Sequence, residues 1–189
     1  MSTILRKAIR EVLVNDMRPK LYVLVGPPAI GKSTWVRLNV PGAYLINRDD
    51  LVDDVRVPLG LKYDQMFRPE NRRHQSEVDR LHRENIAGAV ASGKDIVVDM
   101  TNMGVSSRRN ALRVIQGHEA EYEKIAVFFD HRGKESLVRD NLRRRAEKLG
   151  DKNIPYDVMT GMFDRFEIPT EAEGFDRVIS ADTTKAIGA

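Results

Sequence analysis

Among its 189 residues the chain has no cysteine. Disulfides, thiolate metal sites and cysteine nucleophiles are therefore excluded, and a reducing, cytoplasmic location is the expectation. Long apolar runs are also missing. The strongest, residues 21–25 and 125–129, fall far short of the roughly 20 residues a bilayer-crossing helix needs, so no membrane partner is expected. The first residues, MSTILRKAIREVL, contain no apolar stretch of signal-peptide type. Net charge is scarce: 31 Lys plus Arg stand against 28 Asp plus Glu, a formal +3, so bulk charge identifies no nucleic-acid binder. His74, His82, His118 and His131 have no metal-ligand spacing, and no zinc site is expected. Oligomeric state is not legible in the sequence.

What is present is an ordinary globular composition, 41% hydrophobic and 31% charged, enough apolar material for a full core. Residues 4–14 carry Ile4, Leu5, Ala8, Ile9, Val12 and Leu13 at spacings of three and four, which predicts an amphipathic N-terminal helix within residues 1–20. The remainder, 21–189, reads as a single domain. Short β-branched runs at 21–25, 43–46, 96–98, 125–129 and 177–179 alternate with helical patterns at 71–91, 106–116, 134–149 and 155–165. That alternation predicts an α/β fold with three layers and a mostly parallel central sheet. In such sheets ligands sit beyond the carboxyl ends of the strands, so the residues that follow the strands should converge.

The first strand runs straight into Gly26-Pro27-Pro28-Ala29-Ile30-Gly31-Lys32-Ser33, a match to G-x-x-x-x-G-K-S, with Thr34 next and a helical pattern after it. A closed loop of backbone N–H groups at a helix N-terminus binds a polyphosphate. In this setting Gly26, Gly31, Lys32, Ser33 and Thr34 are the candidate ATP-binding residues. Lys32 neutralises the β and γ phosphates, and Ser33 holds Mg²⁺.

The reaction class depends on what faces the γ phosphate. Asp49-Asp50 follows the second strand, and Asp49 is the candidate general base for an attacking hydroxyl, with Asp50 capping a helix that begins near Leu51. Asp99 closes the third strand and is the candidate second metal residue, with Thr101 and Asn102 positioned near an acceptor. Residues 132–152 are rich in arginine. Arg139 and Arg143, four apart and so on one helix face, are candidates to clamp the nucleotide phosphates from a helical lid.

Assembled, GPPAIGKSTW at 26–35, NRDD at 47–50, VVDMTN at 97–102 with Arg108-Arg109, and VRDNLRRR at 138–145 resemble the kinase domain of the polynucleotide kinase family, within the small P-loop kinases. The resemblance covers residues 21–178. It implies a three-layer P-loop kinase fold with a helical lid, and transfer of the γ phosphate of ATP to the 5′-hydroxyl of DNA or RNA. It also implies Asp49 as base, Thr101 near the acceptor, and Arg139 and Arg143 on the donor phosphates.

One position departs from the pattern. Family members that act on 5′ ends carry an arginine three residues after the base, gripping the acceptor's 3′ phosphate, and here Val52 stands in its place. Arg56, one turn further along the helix, is the expected substitute. The basic residues Arg68, Arg72, Arg73, Arg80 and Arg83 are the expected wall for a nucleic-acid backbone. Three other readings stay open: a kinase of a hydroxymethylated base such as 5-hydroxymethyluracil within DNA, as in phage relatives; a kinase of nucleosides, sugars or antibiotics; and a nucleotide-binding module without transfer chemistry.

Overall fold

The computed structural model describes residues 18–149, 154 and 156–181. The amphipathic helix expected over 4–14 lies outside the described residues. The sheet is built from β1 (Lys20–Val25), β2 (Tyr44–Ile46), β3 (Ile96–Val98), β4 (Glu123–Phe128) and β5 (Arg177–Ser180), in the order β2-β3-β1-β4-β5. Every pairing is parallel.

The helices are α1 (Lys32–Asn39), α2 (Arg48–Arg56), α3 (Arg72–Ala91), α4 (Val105–Leu112), α5 (Glu135–Leu149) and α6 (Tyr156–Asp164). Because side chains alternate along a strand, β1 sends Leu21, Val23 and Val25 to one face and Leu24 to the other. The first set meets Ile46, Ile96, Val98 and Ala126, together with Ala89 of α3 and Ala111 of α4. Leu24 joins Val97, Ile125 and Val127 against Trp35 of α1, Val138 of α5 and Met159 of α6. Two apolar layers on opposite faces of one parallel sheet constitute the three-layer α/β architecture. Each fully buried aliphatic side chain contributes about 1.5–3 kcal/mol through removal from water. No helix among the described residues is long and apolar enough to cross a membrane.

Two helix boundaries differ from expectation. The second helix begins at Arg48, and its cap is Asn47, whose side chain accepts from the Asp49 N–H at 3.0 Å; Asp50 is a first-turn residue and not the cap. The helix expected over 106–116 ends at Leu112 and closes in a 3₁₀ turn, Arg113–Ile115, before Gly117 turns the chain with φ 87°. A third, smaller cluster of Val52, Met66 and Val78 fixes α2 to α3 through the 3₁₀ turn Asp64–Phe67.

Candidate active site

Three neighbouring strand ends build the site. Pairing aligns Ile46 of β2 with Val98 of β3, and Val98 with Val23 of β1, so the chain leaves these strands along one edge. Two backbone bonds tie the exits together: Asp99 N–H donates to Ile46 O at 3.0 Å, and Gly26 N–H to Thr101 O at 2.8 Å.

The phosphate loop hugs the strand beside it. A Cβ on Gly26 would stand 2.9 Å from Phe129 Cβ, a distance that real Cβ atoms do not reach, so only glycine fits there. Ala29 (φ 58°) and Gly31 (φ 103°) adopt left-handed conformations that curl the loop into α1. Trp35 of α1 meets Phe129 edge-on at 6.3 Å and seats the helix on the sheet. The Lys32 ammonium is buried and donates to Gly26 O at 3.1 Å and Pro27 O at 2.9 Å, folding back over its own loop. Ser33 Oγ donates to Asp99 Oδ2 at 3.2 Å. Thr34 is half-buried in the first turn of α1.

Asp49 is exposed in the first turn of α2, and its Oδ1 accepts from the Tyr63 hydroxyl at 2.9 Å. Burial first, then the Asp49 charge and this hydrogen bond, push the Tyr63 phenol well above its ordinary range, so it stays protonated and donates. The adjacent Arg48 pairs with Asp79 of α3 at 2.7 Å, anchoring the helix that carries the base candidate.

The structure gives several expected site residues other tasks. Arg56 is buried. Its Nε donates to Asp53 Oδ1 at 2.6 Å and its Nη1 to Leu61 O at 3.1 Å, and its guanidinium lies 5.8 Å from the Tyr63 ring centroid. This corrects the expectation of a grip on a nucleic-acid backbone: the charge is turned inward to staple the segment after α2. Val52 is buried in the cluster with Met66 and Val78, which is why its position offers no phosphate contact. Asn102, expected beside the acceptor, is buried at φ 45° and donates its amide to Leu24 O at 2.8 Å, so it braces β1 instead. Thr101 remains half-exposed at the lip.

Arg139 and Arg143 share a helix but not an environment. The Arg139 guanidinium lies 5.9 Å from the Phe163 ring centroid, whereas Arg143 is exposed and pairs along its own helix with Asp140 at 3.3 Å and Glu147 at 4.0 Å. From the same helix the Asn141 amide donates to Ala29 O of the phosphate loop at 3.3 Å. On the wall expected to receive nucleic acid, Arg68 pairs with Asp64, and Arg80 with Glu77 and Glu84; Arg72 and Arg83 are exposed.

Sequence reasoning missed Tyr63 as the partner of Asp49, Asn141 as a contact of the phosphate loop, and Arg108 as a core residue. Arg108 is fully buried. It forms a bidentate pair with Glu173 at 2.7 and 2.9 Å and donates to Asn102 O, Met103 O and Glu167 O. It thereby fixes the chain that follows β3. Beside that chain, Thr101, Met103 and Gly104 face Val158, Met162 and Arg165 across an open cleft of about 870 Å³.

A protein-family model for an AAA domain matches residues 21–169. Among solved structures, one from Chloroflexus aurantiacus J-10-fl, named provisionally as a kinase, is similar with a TM-score of 0.60 at 17% identity, covering 89% of this chain and 87% of that one. A structure from the PezAT chromosomal toxin–antitoxin system of Streptococcus pneumoniae has a TM-score of 0.55 at 11% identity, covering 96% of this chain and 78% of that one. At these identities the likeness is one of fold: a kinase-like P-loop architecture. No curated protein matches the chain.

Proposed function

The chain belongs to the AAA-domain family, and on that premise we propose that it is an ATP-dependent phosphotransferase acting on a hydroxyl carried by a nucleic acid. The observation that carries this reading is the order of groups along one sheet edge. Asp49 follows β2, Asp99 follows β3 with its carboxylate on Ser33, and the phosphate loop follows β1. A hydrolase needs a residue to position water; a base carboxylate beside a loop for a polyphosphate suits a bound hydroxyl.

In this mechanism the backbone N–H groups of residues 29–33 and the Lys32 ammonium hold the triphosphate, with Lys32 exchanging its loop carbonyls for phosphate oxygens. Asp49 accepts the proton of the acceptor hydroxyl as that oxygen bonds to the γ phosphorus and the bond to the β–γ bridging oxygen breaks, releasing ADP. Ser33 and Asp99 offer hard oxygen donors 3.2 Å apart, a pair of the kind that would hold Mg²⁺. When bound, the ion supplies charge neutralisation at the phosphates. Arg139 and Arg143, both on the lid helix, serve the donor phosphates.

Which hydroxyl is accepted follows from Val52 and Arg56. The resemblance favours a 5′ end, but Val52 is buried and Arg56 is stapled inward, so the contact that grips a chain-end phosphate has no residue at its usual place. That observation favours a second reading, a hydroxymethyl group on a modified base within DNA, or a small acceptor with no phosphate of its own. The test offers radiolabelled ATP with 5′-OH DNA, 5′-OH RNA, a hydroxymethyluracil-containing duplex and a nucleoside mixture, each against wild type and Asp49→Asn. Transfer that falls about 10²–10⁴-fold in Asp49→Asn supports the base assignment. Label on an internal base selects the second reading. Label on nucleosides alone removes the nucleic acid, and no transfer to any acceptor despite ATP binding leaves a nucleotide-binding module.

A further inference from the structure

The corner that holds Asp49 is more constrained than an exposed carboxylate requires. After α2 the chain doubles back: Leu59 N–H and Leu61 N–H both donate to Arg56 O at 3.1 Å, Gly60 N–H donates to Val57 O at 3.0 Å, and Lys62 N–H donates to Gln65 Oε1 at 2.7 Å. Arg56 Nη1 closes the turn on Leu61 O. The turn delivers Tyr63, whose ring is half-buried, edge-on to Phe67 at 5.2 Å and within cation–π distance of Arg56. Ring position is thus fixed from two sides, and the hydroxyl at its end reaches Asp49 Oδ1.

From this arrangement we propose that Tyr63 is the positioning residue for Asp49: its hydroxyl holds Oδ1 and presents Oδ2 to the acceptor's proton. The proposal rests on the reading of Asp49 as the base. A carboxylate's terminal torsion is broad, so an exposed aspartate without a donor samples many orientations, few of which aim an oxygen at an in-line nucleophile. A donor fixed by packing on the opposite oxygen removes that freedom. Tyr63 acts through Asp49 and exchanges no proton with substrate. Its high pKa, set by burial and by the Asp49 charge, keeps the phenol a donor throughout the working pH range. The inward turn of Arg56 is then explained as well: the guanidinium supports the residue that aims the base.

Tyr63→Phe tests this because it keeps the ring on Phe67 and Arg56 and deletes only the hydroxyl. With the acceptor that wild type labels, kcat should fall about tenfold to a hundredfold, the range for losing a hydrogen bond to a charged group. KM for ATP and the melting temperature should stay at wild-type values. In an Asp49→Asn background the same substitution should change the residual rate less than about twofold, since no carboxylate remains to be aimed. Wild-type kcat in Tyr63→Phe while Asp49→Asn is impaired would overturn the positioning role and leave the base standing. An equal loss in both backgrounds would also overturn it, because Tyr63 would then act independently of Asp49. Normal turnover in Asp49→Asn would remove the base and the proposal with it.

Discussion

Ser33 and Asp99, far apart in the chain, meet at 3.2 Å through a hydroxyl-to-carboxylate hydrogen bond that joins the phosphate loop to the end of β3. The geometry follows from strand order: β3 pairs directly with β1, so the residue after one strand necessarily neighbours the helix after the other. Asp99→Asn should therefore raise the Mg²⁺ concentration needed for half-maximal activity by an order of magnitude or more, while saturating Mg²⁺ recovers much of the rate. A Mg²⁺ titration of initial rates checks this, and an unchanged half-saturation point would exclude Asp99 from the metal's surroundings.

Arg108 should matter to folding before it matters to catalysis. Its guanidinium is fully buried with all its contacts to Glu173 and to backbone carbonyls after β3 and α6. Arg108→Ala removes the paired guanidinium from the largely buried Glu173 and should cost about 3–5 kcal/mol. For a chain of this size that corresponds to a melting temperature lower by on the order of 10 °C, read by calorimetry or circular dichroism. A melting temperature within a degree or two of wild type would contradict the assignment.

How far the sequence could be read depended on whether the partners were near in the chain. The phosphate loop was legible because its residues are contiguous and its curl is local backbone geometry, left-handed at Ala29 and Gly31. The strands were legible through their short apolar runs, and with them the positions of Asp49 and Asp99 just past two strand ends. Arg56 was misread because helical spacing says which residues share a face but not which face is covered; that was decided by Met66 and Val78, brought in from other elements. Arg108 and Asn102 look like surface residues by type, and only the folded chain shows the distant acceptors, Glu173 and Leu24 O, that let them be buried. Asn47 carried a readable cap signal, obscured because Asp50 offered the same chemistry three residues later.

Acid should destabilise the protein in two stages. His131 is buried between Phe163 (4.7 Å, stacked) and Phe166 (4.8 Å, edge-on), and burial lowers its pKa against the opposing pull of Glu135 and Asp130, with Arg132 adding to the lowering. His82 is lowered by burial too, then by Arg48, with Asp79 opposing. A histidine depressed in the fold takes up its proton first in the unfolded chain. Its stabilising contribution is therefore complete above pH ~6.5 and is lost as pH falls below that value toward the folded pKa, at up to about 1.4 kcal/mol per pH unit for each group. Glu173 follows. Burial pushes its carboxyl up, but the Arg108 hydrogen bonds, the Thr170 N–H and the charges of Arg108 and Arg109 together hold it below the usual range. Its contribution is present above pH ~4.5 and is lost as pH falls through its lower folded value. Urea denaturation across pH 3–8 should show both stages, and His131→Phe, which keeps the aromatic stack, should flatten the first.

Arg56→Ala separates a structural role from a nucleic-acid contact. A residue that neutralises a backbone phosphate, once removed, weakens binding uniformly and flattens the dependence of log K on log salt by about one unit. Arg56 is instead committed to Asp53, to Leu61 O and to the face of Tyr63. Its loss frees the turn after α2 and removes the contacts to Asp53 and to Leu61 O in a partly buried corner, which should cost about 1–3 kcal/mol. It also releases Tyr63 and so lowers kcat. The salt slope for an oligonucleotide acceptor should stay at its wild-type value in Arg56→Ala. It should flatten in Arg72→Ala and Arg83→Ala, whose side chains are exposed on α3. Binding measured from 50 to 200 mM salt distinguishes the cases: a flattened slope in Arg56→Ala would return that arginine to the acceptor's backbone, and an unchanged slope in all three variants would remove the α3 wall from the acceptor path.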